Sequence, residues 1–219
     1  MKELVILDLD GVIIKGQSQK HLLDYLKRKK IISLFFYTKI CILFTFYKLK
    51  LIKDPEKIMK QAYIFLKGKN VGYVEKTIND FFDNYLRGFL YLDMIDIINK
   101  HKSADKELII LSNSADFIVK KVANYLNIKY YIATNFEIIN DLFTGNIDGD
   151  IIYGKNKINA IKRFINEMGL TFKNSYAYAD HISDRGLLEI VEQPFAINPD
   201  KLLFKEAFKK NWKVINFRK

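Results

Sequence analysis

The chain has 219 residues, of which 49% are hydrophobic, and a formal net charge of +11. That length and apolar content exclude a disordered chain and leave room for one large core, or a core with a smaller inserted unit. The one cysteine, Cys41, excludes an internal disulfide and fits a reducing compartment.

An apolar run, Leu4-Val5-Ile6-Leu7, reads as a buried parallel strand over residues 3–8. It is too short for the apolar core of a signal peptide, so the sequence predicts a cytoplasmic protein. Asp8 and Asp10 follow, and on an extended backbone they project to the same side while Leu9 points away. Two like charges this close are costly unless a cation or a shared proton relieves them. The pair suits a hard metal ion, a nucleophile or an acid–base partner. A solvated strand end before a turn at Gly11 is the plainer alternative.

From Ser18 to about Gly88 the pattern becomes helical. Leu22, Leu23 and Leu26 share one face, and Val71, Val74, Ile78, Phe81 or Phe82, and Tyr85 form a stripe. Asp54-Pro55-Glu56 has the cap and first-turn proline of a helix start. Residues 15–90 carry +10 of the net charge and the rest only +1, so the helical segment reads as a separate unit facing an anionic substrate, membrane or partner. Within it, Ile31 to Tyr47 is apolar and aromatic, interrupted by Lys39 and flanked by Lys27-Arg28-Lys29-Lys30 and Lys48-x-Lys50. A buried cap helix or a dimer contact is the first reading of this stretch. A membrane-surface helix with snorkelling lysines comes second. A spanning helix comes last, because the stretch is short and Lys39 sits near its middle. No reading motif for nucleic acid accompanies the charge.

From about Leu92 an α/β rhythm resumes. Strands are predicted at 107–112, 130–134, 175–180, 195–198 and 212–217, with a hairpin over 136–152 turning at Gly145 and Gly149. Helices are predicted at 115–126, 155–168, 184–191 and 201–210. The alternation implies a doubly wound parallel sheet. Such sheets place their chemistry at the carboxyl ends of the strands.

Three further polar stations stand at such ends. Ser112-Asn113-Ser114 closes a buried strand and opens a helix, where a hydroxyl and free N–H groups can cradle phosphate. An ordinary helix cap is the competing account. Lys155 and Lys157 stand at the start of an amphipathic helix, where a bound anion favours a cation more than the helix dipole does, and a solvated lysine is the plainer account of either residue alone. Asp180 ends another strand, with Asp184 one turn later, so both can face one point as a metal ligand and its support. Capping by Asp184 is the alternative.

Asp8-Leu9-Asp10-Gly11-Val12, Ser112, Lys157 and Asp180-His181-Ile182-Ser183-Asp184 together resemble the four motifs of the haloacid dehalogenase (HAD) superfamily. Leu111-Ser112-Asn113-Ser114, Gly154-x-x-Lys157, Ala177-Tyr178-Ala179-Asp180-x-x-x-Asp184 and Ala196-Ile197-Asn198-Pro199-Asp200 are similar to its phosphoserine-phosphatase-like subclass IB, which carries a helical cap between the first two motifs. The resemblance implies an α/β fold with a HAD-like, Rossmannoid parallel sheet. Its catalytic core would be residues 1–14 and 92–219, with a helical cap at 15–91. It implies Asp8 as nucleophile and Asp10 as general acid–base, with Ser112 and Lys157 on the phosphoryl oxygens. Magnesium (Mg2+) would be held by Asp8, Asp180 and the carbonyl of Asp10, supported by Asp184, and Asn113, Gln17 and His181 would line the substrate. Physical chemistry agrees with these roles: a metal removes the anion–anion repulsion that blocks attack, and a carboxylic acid can protonate the departing alkoxide.

Two departures narrow the substrate. Gln17 stands where the phosphoserine enzymes place a glutamate for the substrate amine, and the insert offers only Arg28 and Arg87 for a carboxylate. The predicted activity is therefore hydrolysis of a small phosphomonoester: an amino alcohol phosphate, a sugar phosphate or a lipid head group, free or within a larger anionic conjugate. Phosphoserine itself is the alternative substrate. Two other classes compete: a phospho-acceptor signalling module, which has neither the inserted cap nor the late Asp pair, and an idle membrane- or partner-binding protein using the basic insert. Oligomeric state is not encoded in any pattern here.

Overall fold

The computed structural model describes residues 3–49, 51 and 54–217. Lys50, part of the predicted basic flank, lies outside them. In chain order the elements are β1 (Leu4–Leu7), α1 (Ser18–Arg28), α2 (Leu34–Lys48), α3 (Pro55–Tyr63), α4 (Val71–Asn84), α5 (Leu92–Ser103), β2 (Glu107–Ala115), α6 (Asp116–Tyr125), β3 (Tyr130–Ile139), β4 (Leu142–Asp148), α7 (Lys155–Met168), β5 (Tyr176–Ala179), α8 (Arg185–Glu189), β6 (Gln193–Ile197), α9 (Lys201–Lys209) and β7 (Lys213–Ile215). The seven strands form one sheet in the order β4-β3-β2-β1-β5-β6-β7. Every pairing is parallel except β3 with β4.

Period-two alternation in β1 explains how the sheet is covered. Leu4 and Ile6 join the layer built with Ile161 and Ile165 of α7, Leu187 of α8 and Leu203 of α9. Val5 and Leu7 join the opposite layer with Met94 and Ile98 of α5 and Ile118, Val119 and Val122 of α6. All four β1 side chains are fully buried, as expected of a strand covered on both faces. Helices α1 to α4 lie between β1 and β2 in sequence, and their apolar faces (Leu22, Leu26, Met59, Phe81 among them) belong to the same layer as Val5. Asp54 caps α3 by accepting from the Lys57 N–H at 3.1 Å, with Pro55 in the first turn. The two crossings between sheet and insert are tied together: the Lys15 N–H donates to Phe89 O (2.7 Å) and the Tyr91 N–H to Ile13 O (2.9 Å).

Four elements differ from their sequence patterns. β2 continues through Ser112 to Ala115. The first arm of the predicted hairpin is the continuation of β3, which leaves β2 after Thr134 and pairs with β4 through a register shift between Phe136 and Ile138. The predicted stripe of α4 overruns the helix, which ends at Asn84 with Tyr85 in a non-helical conformation. The last strand is shorter than predicted, ending at Ile215.

His101 on α5 sits edge-on to Tyr176, and its Nε2 lies 2.7 Å from the Tyr178 hydroxyl. Burial, helped by nearby Lys106, lowers its pKa from 6.5 to about 4. The folded protein therefore binds a proton here more weakly than the unfolded chain does. Its contribution to stability is complete above about pH 6.5 and is lost as pH falls towards about 4. Urea midpoints across this window should fall more steeply for the wild type than for His101→Phe. Parallel curves would show that His101 carries none of the acid sensitivity.

Candidate active site

Asp8 is the first residue past β1 and is buried. Its N–H donates to Tyr178 O of β5 (3.0 Å), and one of its carboxylate oxygens accepts from the Leu9 N–H (2.7 Å). The same oxygen lies 3.1 Å from Lys157 Nζ. Lys157, on the first turn of α7, is also buried and pairs with Asp184 at 2.8 Å. Burial alone would lower the lysine pKa, but Asp184 and Asp8 reverse this and hold it above the usual lysine range, so it stays charged. Asp184 thus supports Lys157 directly, while its charge also bears on Asp180.

Asp10 is held differently. Oδ1 accepts from the Ser18 N–H at the start of α1 (2.7 Å), and Oδ2 accepts from the Ser114 hydroxyl (2.9 Å). The two serine hydroxyls lie 2.7 Å apart. Burial raises the Asp10 pKa, and the bonds from Ser18 and Ser114 oppose it. Ser112, near the end of β2, is buried, its Oγ accepting from the Ser114 N–H (3.1 Å). The structure therefore brings Asp8, Asp10, Ser112, Lys157, Asp180 and Asp184 to the carboxyl ends of β1, β2 and β5 and the start of α7.

The remaining predicted residues are placed less centrally. Asn113 has its carbonyl bound by the Thr134 hydroxyl (3.1 Å), while its buried Oδ1 has no hydrogen-bond partner among the described residues. Gln17 is exposed at the N-cap of α1 and makes no side-chain cap bond. His181 is half exposed, its Nδ1 3.0 Å from Ser183 Oγ and its Nε2 3.5 Å from Asp200. Neither Gln17 nor His181 makes a hydrogen bond to the central carboxylates.

Asp180 is buried and crowded by like charge. Burial, then the charges of Asp184 and Asp10, push its pKa from 3.8 up to about 7. Asp8, Asp180 and Asp184 share one buried lysine, and the charge of Asp10 also bears on Asp180. The donors are all hard oxygens, which suit magnesium. Among the described residues no three His, Cys, Asp or Glu side chains form a metal cage. Gly11 makes the close approach possible. Its φ is +74°, and a Cβ there would stand 2.0 Å from Asp180 Oδ2. Gly11→Ala should displace that carboxylate and lower kcat/KM about a hundredfold, with a raised metal requirement. Wild-type metal dependence in the variant would separate Asp180 from the metal.

A scan against protein families matches residues 5–189 to the haloacid dehalogenase-like hydrolases. The chain belongs to this family. It is 27% identical to a histidinol-phosphatase of Neisseria meningitidis serogroup C over the full length of both chains. Several other curated relatives are longer, and the chain spans only 52–58% of their length. Among solved structures, a Bordetella pertussis Tohama I protein of unknown function superposes with a TM-score of 0.91 at 23% identity, covering 98% of each chain. A substrate-bound phosphoserine phosphatase superposes with a TM-score of 0.71 at 14% identity, covering 100% of this chain and 94% of that one. The sheet and the helices inserted between β1 and β2 thus share the fold of that phosphoserine phosphatase.

Ser18 and Tyr63 are functional candidates that the sequence pattern does not single out. Ser18 begins a helix after an exposed Gln17, and only a small hydroxyl residue at a helix start hints at it. Tyr63 ends α3 as one more apolar position. In the fold its hydroxyl is buried without a partner, near enough to Asp10 and Asp116 for both charges to raise its pKa beyond the effect of burial.

Proposed function

We propose that this protein is a magnesium-dependent phosphomonoesterase, with residues 1–14 and 92–219 as catalytic core and the helices of residues 15–91 as cap. The observation that carries the reading is the Asp8–Lys157–Asp184 chain at the end of the central strand, with Asp10 held apart by Ser18 and Ser114. Asp8 attacks phosphorus in line, giving an aspartyl-phosphate. Lys157 and Ser112 bind the phosphoryl oxygens whose charge shifts during transfer. Asp10 protonates the leaving alkoxide, then takes a proton from the water that releases phosphate. Magnesium, held by Asp8, Asp180 and the Asp10 carbonyl, would screen the substrate's charge from the carboxylates.

The substrate class is a small amino alcohol phosphate. Three buried polar atoms support this: Asn113 Oδ1, Asp116 Oδ1 and the Tyr63 hydroxyl have no hydrogen-bond partner among the described residues. Two of them are acceptors only and call for a donor-rich, cationic ligand. Phe117, beside Asp116, and Phe136 pack on Tyr63 at 5.9 and 4.8 Å between ring centroids, giving walls that also favour a cation. The name of the Neisseria relative points the same way, since histidinol is an amino alcohol. Phosphoserine fits less well. Arg28 is exposed and lies over the Tyr85 ring, and Gln17 brings no charge to an amine. A single free cysteine, Cys41, agrees with a cytoplasmic setting.

The test is phosphate release from p-nitrophenyl phosphate, histidinol phosphate, phosphoserine and a sugar phosphate, with magnesium and with EDTA. Release should require magnesium, stop with EDTA, return on adding metal, and be fastest for the amine-bearing ester without a carboxylate. No release from any ester with magnesium present would overturn the reading.

A further inference from the structure

The basic insert contains a surface that this chemistry does not use. Between Asp24 and Asp54 the sequence has no acidic residue and eight lysines or arginines. Within that stretch α2 buries one side: Ile40 is fully buried, and Phe36, Cys41, Leu43 and Phe44 pack on the core. Its other side is open to solvent and apolar. Leu34 is 62% exposed, Phe35 80%, Ile42 53% and Phe46 43%. These positions recur at helical spacing along one outer face, interrupted only by Thr38, Lys39 and Thr45.

The cations precede this face in the chain, at the end of α1 and in the turn that joins it to α2. Lys27 Nζ sits 4.6 Å above the ring of Tyr37, on the first turns of α2. Lys27, Arg28 and Lys30 are exposed, and among the described residues none is paired with a carboxylate. The neighbouring acids are already engaged: Asp24 by Lys20 and Tyr37, Asp80 by Lys29 and Tyr25. The patch thus presents excess positive charge beside exposed aromatic and aliphatic side chains.

We propose that the outer face of α2, with the turn that joins it to α1, lies in the interface of an anionic lipid bilayer. Charge complementarity selects this occupant. A second copy of the chain would bring the same excess of cations against itself. A nucleic acid would satisfy the cations but leave Phe35 and Ile42 in water. An anionic bilayer satisfies both: head groups take the lysines, and the acyl boundary takes the apolar side chains. The helix lies flat, for among the described residues no helix is long and apolar enough to cross a membrane. Lys39, 3.1 Å from Gln61 at its Nζ, is drawn back along the side of the helix towards the aqueous edge, as a snorkelling lysine requires. This inference does not depend on the phosphatase reading, because it uses none of the residues in the site.

The test is sedimentation of the full chain with vesicles of phosphatidylcholine alone and with 30 mol% phosphatidylglycerol, at about 0.1 M salt. Binding to the anionic vesicles only is expected. The triple variant Lys27→Gln, Arg28→Gln, Lys30→Gln should weaken it at least about tenfold, since each cation adds to the attraction. Phe35→Ser with Ile42→Ser should weaken it about tenfold without changing the charge. All five positions are partly or fully exposed, and thermal melts confirm that each variant folds. Three results would overturn the proposal: no difference between the two vesicle types, binding that survives loss of Phe35 and Ile42, or a concentration-dependent dimer broken by Phe35→Ser without vesicle binding.

Discussion

Asp8→Asn should fold normally and lose phosphate release by at least about a thousandfold in kcat. The amide is almost isosteric with the carboxylate, so the bond from the Leu9 N–H to Oδ1 can persist. Lys157 keeps Asp184 as its partner at 2.8 Å, so no buried cation is stranded. Burial and the charges of Asp184 and Asp180 all disfavour ionised Asp8, and removing that charge should leave stability unchanged or raise it. What disappears is the nucleophile: an amide oxygen is far less nucleophilic and carries no full charge to begin in-line attack. Acid quenching during turnover checks this separately, because the wild type should carry label from a radiolabelled substrate and the variant none. A variant keeping more than a few per cent of the wild-type rate would remove Asp8 from that role.

Asp10→Asn should behave differently, with a loss of roughly 10²–10⁴ that depends on the leaving group. The buried Asp10 carboxyl has a raised pKa, which brings it closer to the range where it can both hold and release a proton. The bonds from Ser18 and Ser114 fix its orientation at 2.7 and 2.9 Å. The amide keeps the first bond but must turn its NH2 towards the Ser114 hydroxyl, which can rotate to accept. Structural cost is therefore small and the chemical cost large. An alkyl phosphate, whose alkoxide needs a proton, should suffer more in formation of the phosphoenzyme than p-nitrophenyl phosphate does. Release of phosphate from the enzyme should slow for both. Equal losses in the first step for both esters would argue against acid catalysis by Asp10.

The parts of this molecule that follow from local pattern were legible in the sequence. The apolar run of β1, the alternation after Leu92 and the capped start of α3 each depend on neighbours a few residues apart, and each appears where the pattern places it. Where the chain changes partner without changing pattern, the sequence misleads. β3 is one continuous strand whose second half abandons β2 for β4, and nothing in Asn135-Phe136-Glu137 announces the change. In the site, motif residues could be recognised but their partners could not. Asp10 meets Ser114 across 104 positions, and Ser18 meets Ser114 across 96. Asp184 reads as a support for a metal ligand or as a cap, and in the fold its carboxylate is the partner of Lys157. Tyr63 is an aromatic position in an apolar stripe until α3 packs its ring against Phe117 and Phe136.

The place of β1 in the sheet also has a consequence for how the protein is made. Leu4 pairs with Glu107 and Val5 with Tyr176, so this first strand finds its two neighbours only about 100 and 170 residues later. At roughly 5–20 residues per second, the most apolar strand leaves the ribosome on the order of ten seconds or more before both flanks exist. Contacts of such long sequence separation make folding slow. The Asp8 loop cannot be fixed until β5 supplies Tyr178 O to its N–H. A nascent chain halted before Ser175 would expose Leu4–Leu7 along one edge and own no working site. The last third of the polypeptide, which looks peripheral in sequence, therefore completes the centre.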